Sequence, residues 1–563
     1  MMLECDYLII GGGAAGSVLA ARLSESSSAR IILLEAGRDV DPDRVPQDIA
    51  DIFPLSTFNP DYTWPGLKVH WRQRENSPAV PFQQGRVLGG GSTIMGMWAV
   101  RGMPQDYDDW EKAGAAGWSW SSVLPYFRKI ETDHDFRGDM HGQDGPLPIR
   151  RQTREEWSSL AQAMEGIAAA RGHELIADMN ADFRDGYCVL PISRHETRRA
   201  SAGLCYLDGA ARARPNLTVV TDAHVRKLIV EANQVRGAVA RRKDGTELVV
   251  QARHTVLAAG AIFSPALLLR SGIGPGEQLK ACGLDVVLER EGVGRNLQNH
   301  PLLPAIAWLT REGRDARRGR PPASTYLRWS SRLADTPEGD LGMYIRSYLV
   351  WHALGRHMAM VGPVLMRPAS RGDVRLDPKD PQREISVAFN FFSDPRDLER
   401  MMIGFRHSAE MLADPALRSV CGDAFVLTNA AKLNRYNALS RANAIRGQLA
   451  SALLRLSPGI AHRVISHFAD MTPVKSFVND ERKLADFIVE NVTATNHVTG
   501  TCRMGRVDDP EAVVDPQGRM IGLEGLTVAD ASIMPNVPSG NTHLATVMVA
   551  ERIAEHLLRR GRA

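Results

Sequence analysis

Residues 7–16, Tyr7-Leu8-Ile9-Ile10-Gly11-Gly12-Gly13-Ala14-Ala15-Gly16, decide the fold: an apolar run turns into glycine and then into Val18, Leu19, Ala20, Ala21 and Leu23 at helical spacing. That order reads as strand, tight turn, helix. The glycines have separate tasks: Gly11 makes the turn, Gly13 lets backbone approach a pyrophosphate, and Gly16 lets the helix pack close to the strand. The helix N-terminus then faces the phosphates with its positive end. A second apolar run, Ile31-Ile32-Leu33-Leu34, ends in Glu35, about 20 residues further on, where a carboxylate can accept both ribose hydroxyls and disfavours a 2′-phosphate. The unit predicts a Rossmann-like α/β domain for a dinucleotide other than NADP. It leaves FAD and NAD both open.

Around this unit the 563 residues, 44% hydrophobic and 24% charged with 49 glycines and 32 prolines, describe a large folded protein rather than a disordered or fibrous one. With 68 basic against 65 acidic residues the net charge is +3, and no charged run is long enough for a nucleic-acid tract, so no nucleic-acid partner is expected. The densest basic stretch, Arg311 to Arg320, runs into Pro321-Pro322 and reads as a solvated loop. Six scattered cysteines without CxxC spacing argue against disulfides and structural zinc, and neither HxH nor HExxH occurs, so no metal is expected. Acids precede the first apolar run, which excludes a basic-headed secretion signal, and no apolar run reaches about 18 residues. A cytoplasmic protein without an integral membrane segment is the expectation.

Further blocks lie far apart along the chain. Residues 85–102, GRVLGGGSTIMGMWAVRG, hold six glycines, suited to backbone wrapped around a bulky flat ligand. Residues 256–275, VLAAGAIFSPALLLRSGIGP, read as a buried strand, an Ala-Gly turn and a helix with Ser264-Pro265 at its start. Late in the chain come His497 in TNHVTGTCRMG, Asp530 in VADASIMP and His543 in GNTHLATVMVAE.

With GRVLGGGS, GAIFSPALLLRSGIGP, VGRNLQNHP (293–301), RPASRGDVRL (367–376), NHVTGTCRMG (496–505), VADASIMP and GNTHLATVMVAE in this order, the chain resembles the glucose-methanol-choline (GMC) flavoprotein oxidoreductases nearly end to end. ARLSESSSARIILLEAG, the GGGST loop and SWSSVLPYFRKIE look most like the bacterial hydroxymethylfurfural-oxidase branch. The resemblance implies a Rossmann-like FAD domain made of residues 1–300 and 495–563, and an antiparallel-sheet substrate cap from 150–200 and 300–490. It also implies one FAD, its adenosine half on Gly11, Gly13, Ala14, Ala15, Gly16, Glu35 and Ala36, and Val225 reaching the adenine region through its backbone. Arg86, Val87, Gly90, Thr93 and Gly96 would line the flavin side, and Asp530 with Ala531 the ribityl-pyrophosphate part; Ala259, Asn541 and Thr542 complete the implied cofactor residues. Ile94 stands where some members carry a flavin-tethering histidine, so attachment is expected to be non-covalent.

Oxidising an alcohol through a flavin needs a proton acceptor for the hydroxyl and a carbinol carbon held near the flavin, and a neutral histidine suits the first task. His497, three residues before Gly500, matches the family's base position, and His543 matches its second active-site position as a polar partner for the substrate oxygen. His300 is expected to support the flavin-binding fold. Two departures stand out: Asn299 where many relatives have aspartate, and Met95 where the family usually has asparagine close to the flavin. Cys502 reads as a small buried hydrophobe. Residues 343–366 would add pocket wall, with Met358 and Met360 alternating as in a strand; core packing alone also explains them.

The expected reaction is oxidation of a primary alcohol, aryl, furanic or aliphatic, to the aldehyde and onward to the acid, with oxygen or another acceptor taking the electrons. Aromatic content of 6% gives no support to a cage for a quaternary ammonium. A non-redox use of the scaffold, as a hydroxynitrile lyase or a light-driven decarboxylase, is the alternative, and a flavin-free protein a remote third. The particular alcohol, the acceptor and the oligomeric state are not legible.

Overall fold

Met2–Ile10 forms the centre of a seven-stranded sheet, beginning five residues before the apolar run that announces it. The computed structural model describes residues 1–314, 321–382, 384–428, 435–456, 466 and 469–562. Parallel neighbours of Met2–Ile10 are Ile31–Leu34, followed outward by Leu217–Val220, and on the other side Glu247–Leu257, which also pairs in parallel with Leu526–Val528. A hairpin of Ala223–Glu231 and Gln234–Arg242 continues the sheet in antiparallel fashion. Both ends of the chain thus contribute to one sheet. Ile31–Leu34, next to the centre, is apolar and buried on both faces, as a parallel strand covered by helices requires.

Close approach explains the glycines of the first turn. A Cβ on Gly16 would lie 1.8 Å from the Gly11 carbonyl oxygen, and one on Gly11, whose φ is +101°, 2.5 Å from that of Ala258. The helix Ala14–Ser26 therefore presses against its own turn. It packs along the C-terminal helix Thr542–Arg562, where buried Glu551 receives Arg22 Nε at 2.8 Å, Lys129 Nζ at 2.8 Å and the Tyr206 hydroxyl at 2.9 Å. A buried carboxylate is tolerated there because its lone pairs are taken.

The helix placed at Ser264-Pro265 by its sequence runs instead over Gly260–Arg270, with Pro265 inside it. Proline has no N–H to give the Ala261 carbonyl one turn back. The vacant acceptor is taken by Thr501 Oγ1, which donates to Ala261 O at 2.6 Å. A partner from a segment 240 residues away thus makes the proline tolerable. Removing that hydroxyl in Thr501→Val is expected to leave a buried carbonyl unpaired, at a cost of about 1–3 kcal/mol. The thermal midpoint should fall, while Thr501→Ser keeps it; equal midpoints for both variants would refute the account.

A second, ten-stranded sheet is almost wholly antiparallel, with eight strands in the order Asp470–Pro473, Cys421–Thr428, Ala305–Leu309, Met358–Leu365, Leu341–Ser347, Thr325–Trp329, Gly186–Val189, Leu175–Ile176, and Pro301–Leu302 and Thr493–Ala494 branching from Met358–Leu365. Period-two alternation divides its strands between two faces. Leu341, Met343, Ile345, Ala359 and Val361 point into a core with Met401 and Phe405 of the helix Pro395–Leu412. Tyr344 and Met360 point the other way, with Trp98 and Tyr326. Met358 and Met360 do lie on a strand, as their alternation predicts. Of the basic stretch 311–320, residues 315–320 lie outside the described residues.

Candidate active site

The two sheets enclose a cavity of about 600 Å³. Its wall begins at the first turn, with Gly11, Gly13, Ala14 and Ala15, and continues through Glu35, Ala36, Val225 and Ala259. Gly90, Gly96, Asp530 and Ala531 follow, and the far end holds His497, Asn541, Thr542 and His543. Gly16, Arg86, Val87 and Thr93 stand behind this wall. Gly16 permits the helix contact described above. Arg86 donates from Nε to the Ala36 carbonyl at 3.1 Å and lies over the Trp64 ring; Val87 is fully buried, and the Thr93 hydroxyl donates to Leu88 O at 2.8 Å.

The end of the cavity at the first turn suits a dinucleotide. Glu35 is held by the Gly12 and Gly37 N–H groups, each at 2.7 Å, while burial pushes its carboxyl up to about 7 against those donors. An added Cβ at Gly13 or Gly260 would meet nothing within 4 Å, so backbone there is open to a ligand. Gly13, at the start of the helix Ala14–Ser26, brings no side-chain cap, and the helix carries no acid in its first turn. Its N–H groups are therefore free for an anion. Asp530 holds the chain on the opposite wall: Ser264 Oγ donates to it at 2.6 Å, Gly260 N at 2.8 Å and Ser532 N at 2.7 Å.

At the other end, His497 meets two partners from distant segments. Its Nδ1 lies 2.8 Å from His300 Nδ1, and its Nε2 accepts from Asn541 Nδ2 at 2.9 Å. Asn299 supports both histidines, since its Oδ1 accepts from His300 N at 2.9 Å, from His497 N at 3.1 Å and from Thr495 Oγ1 at 2.9 Å. The amide does this without adding a charge, and its Nδ2 further donates to Thr495 O at 2.7 Å. Burial pushes His497 down to about 3, and His300 well below the usual histidine range. Two neutral rings sharing one Nδ1 proton result. An amide nitrogen only donates, so Asn541 Nδ2 meets the lone pair of His497 Nε2 and the shared proton belongs to His497 Nδ1, while His300 Nε2 is buried without a hydrogen-bond partner. The lone pair at His497 Nε2 is then directed at Asn541.

His543, two positions beyond Asn541, lines the same cavity and makes no hydrogen bond to His497. Both of its ring nitrogens are buried without a hydrogen-bond partner, and burial pushes its pKa down to about 4. Unpaired polar atoms of this kind fit a cofactor with its own donors and acceptors. Asn541 against His497 is the pairing that motif reading did not single out; Asn541 just before the helix Thr542–Arg562 and His543 in its first turn carry no signal for which of the two faces the base. Met95 lines the cavity: Asn496 Nδ2 donates to its sulfur at 3.4 Å, and its carbonyl accepts from Arg199 Nη1 at 2.5 Å. Met97 has φ of +64°, a strained conformation for a side chain of its size, where the wall turns from Gly96 to Trp98. Trp98 meets Tyr344 edge to face at 4.6 Å between ring centroids.

Away from the cavity, the ligand atoms of Glu131, Asp133 and His141 come within 4.8 Å of one another. Arg151 Nη1 already lies 3.0 Å from Asp133, Arg101 pairs with Glu131, and His141 Nε2 is 2.6 Å from Asp178. Burial works against the charge on His141, yet hydrogen bonds to Asp133, Asp178 and Glu131 raise it to about 10. Two arginines and a protonated imidazole balance these carboxylates in an ion-pair network.

A family model described as GMC oxidoreductase matches residues 5–302 with its N-terminal part and 368–550 with its C-terminal part. The chain is 40% identical to 5-(hydroxymethyl)furfural oxidase of Methylovorus sp. (strain MP688), across 98% of both chains. It is 32% identical to an oxygen-dependent choline dehydrogenase of Brucella anthropi, across 99% of this chain and 96% of the other. Among solved structures it superposes on pyridoxine 4-oxidase from Mesorbium loti with a TM-score of 0.80 at 29% identity, covering 98% of this chain and 99% of that one.

Proposed function

The chain belongs to the GMC oxidoreductase family, whose FAD-dependent members act on CH–OH groups, and from that premise we propose that it oxidises an aryl, furanic or aliphatic primary alcohol to the aldehyde, with oxygen as the electron acceptor. The observation that carries this reading is the lone pair of His497 Nε2, directed along the cavity wall at Asn541 and fixed by the proton shared with His300.

The residues present fit FAD. Glu35 would take ribose hydroxyls, the uncapped helix start beyond Gly13 the pyrophosphate, and the two unpaired nitrogens of His543 the polar edge of the ring system. When bound, FAD supplies the acceptor for the hydride that leaves the carbinol carbon. His497 Nε2 takes the hydroxyl proton, so that the oxygen lone pair left behind forms the C=O bond as the hydride departs. Asn541 turns its amide N–H from His497 to the substrate oxygen, holding the alcohol against the base. Apolar walls at Met95, Met97, Trp98 and Met360 exclude water and favour an aromatic or aliphatic body. The likeness to an oxidase of a furanic alcohol and to an oxygen-dependent dehydrogenase supports both the substrate class and oxygen.

The holoenzyme mixed without air with a panel of aryl, furanic and aliphatic primary alcohols should lose its yellow absorbance, regain it when air is admitted, and yield aldehyde with hydrogen peroxide in equal amounts. A protein that stays yellow with every alcohol would overturn the reading. Cyanide released from an aromatic cyanohydrin by the same preparation would replace it with lyase chemistry.

A further inference from the structure

Arg346 enters the cavity from the strand Leu341–Ser347, on the face that it shares with Tyr344, and stands opposite Met360 on the neighbouring strand. Its Nε is buried without a hydrogen-bond partner. Among the described residues, the one ionisable group that acts on it is the Tyr344 phenol. By surface area the side chain is only half-buried, yet it is desolvated enough to pull its pKa below the usual arginine range; the two agree because its accessible part opens on the cavity and not on bulk solvent. Several other buried guanidinium groups have partners that Arg346 lacks. Arg151 has Asp133, Arg400 has Asp397 and Asp340, and Arg199 donates to the carbonyls of Ile49 and Met95. A desolvated cation left without such partners is costly, and the cost is recovered when an anion arrives.

We infer that Arg346 binds a carboxylate of the substrate, so that the preferred alcohol carries an acid group on the same molecule. This rests on the alcohol-oxidation reading for the hydroxyl end and on Arg346 for the other. Of the other charged groups in the cavity wall, Glu35 and Asp530 hold backbone on the cofactor side, and Arg270 donates from Nε to Pro381 O beside the hairpin strand Ala223–Glu231. Beside Trp98, Tyr344, Leu349 and Met360, the single formal charge among the described residues is that of Arg346. One cation matches a monoanion and meets a planar carboxylate with two parallel N–H donors, while the aromatic walls accept a flat ring between acid and alcohol. The same charge repels a quaternary ammonium, which sets this pocket apart from one built for choline.

The test compares wild type, Arg346→Met and Arg346→Lys as holoenzymes of equal flavin content. Titration of oxidised enzyme with furan-2-carboxylate, followed by the change in flavin absorbance, should give a Kd at least tenfold weaker in R346M than in wild type, with R346K between them. In turnover, wild type should prefer 5-(hydroxymethyl)furan-2-carboxylate over furfuryl alcohol by tenfold or more in kcat/KM, and that ratio should collapse in R346M. Equal Kd values for wild type and R346M overturn the inference, as does a wild type that turns over the neutral alcohol as well as the acid. Phenyl phosphate binding in place of furan-2-carboxylate would overturn the assignment to a carboxylate. Arginine-dependent carboxylate binding in an enzyme that no alcohol bleaches would uphold the anion site and overturn only the proposed reaction.

Discussion

Replacing His497 with alanine is expected to slow anaerobic reduction of the flavin by about 10²–10⁴-fold, the usual worth of a positioned base, while the purified protein stays yellow. Nothing in the FAD cradle depends on this side chain, since Glu35, the glycine turn and Asp530 are held by their own backbone partners. The pH profile adds a second readout. Burial holds His497 down to about 3, so the ring is neutral, and able to accept a proton, at any pH above that value. Reduction by wild type should therefore stay level from about pH 8 down to about pH 5 and not fall through the ordinary histidine value near 6.5. A rate that drops as pH falls through that value would mean that the ring titrates as a solvated histidine does. Reduction by H497A at the wild-type rate would take the base role from His497 altogether.

Gly16→Ala is expected to abolish the holoenzyme. The new Cβ would lie 1.8 Å from the Gly11 carbonyl oxygen, and both partners in that collision are backbone. Either the helix Ala14–Ser26 moves off the strand Met2–Ile10 or the turn between them opens, and each displaces the uncapped N–H groups that would meet the pyrophosphate. The chain should be recovered colourless or insoluble. Gly166→Ala in the helix Ser159–Ala170 is the matched control, because a Cβ there meets nothing within 4 Å. It should keep full colour and gain up to about 1 kcal/mol from helix propensity. Wild-type flavin content in G16A would show that this close contact is not what shapes the site.

The first of these expectations depends on a meeting of segments, the second on a local motif, and the two differed in how far they could be read from the chain. Gly11, Gly13 and Gly16 are legible because their spacing within one turn states which backbone atoms approach which. Glu35 is legible for the same reason, one strand later. Pro265 misled because a proline inside a helix is tolerable only if another group takes the stranded Ala261 carbonyl, and Thr501, which does so, belongs to a segment 240 residues on. His497 and His543 were both drawn from their motifs as active-site groups, and both line the cavity. The contact with His497 Nε2 is made by Asn541, however, and the contact with Nδ1 by His300.

By itself, then, the sequence determined the α/β dinucleotide fold, the family and the glycine turn on which the proposed FAD cradle is built, since these rest on short-range steric rules: where only glycine fits, where a strand must end in an acid, where a helix must start uncapped. Tertiary structure alone decided which tautomer His497 holds, which amide faces it and that Arg346 stands uncompensated in the same cavity. Facing, pairing and desolvation arise from the register between strands and from packing across hundreds of residues, and neither leaves a periodic trace along the chain.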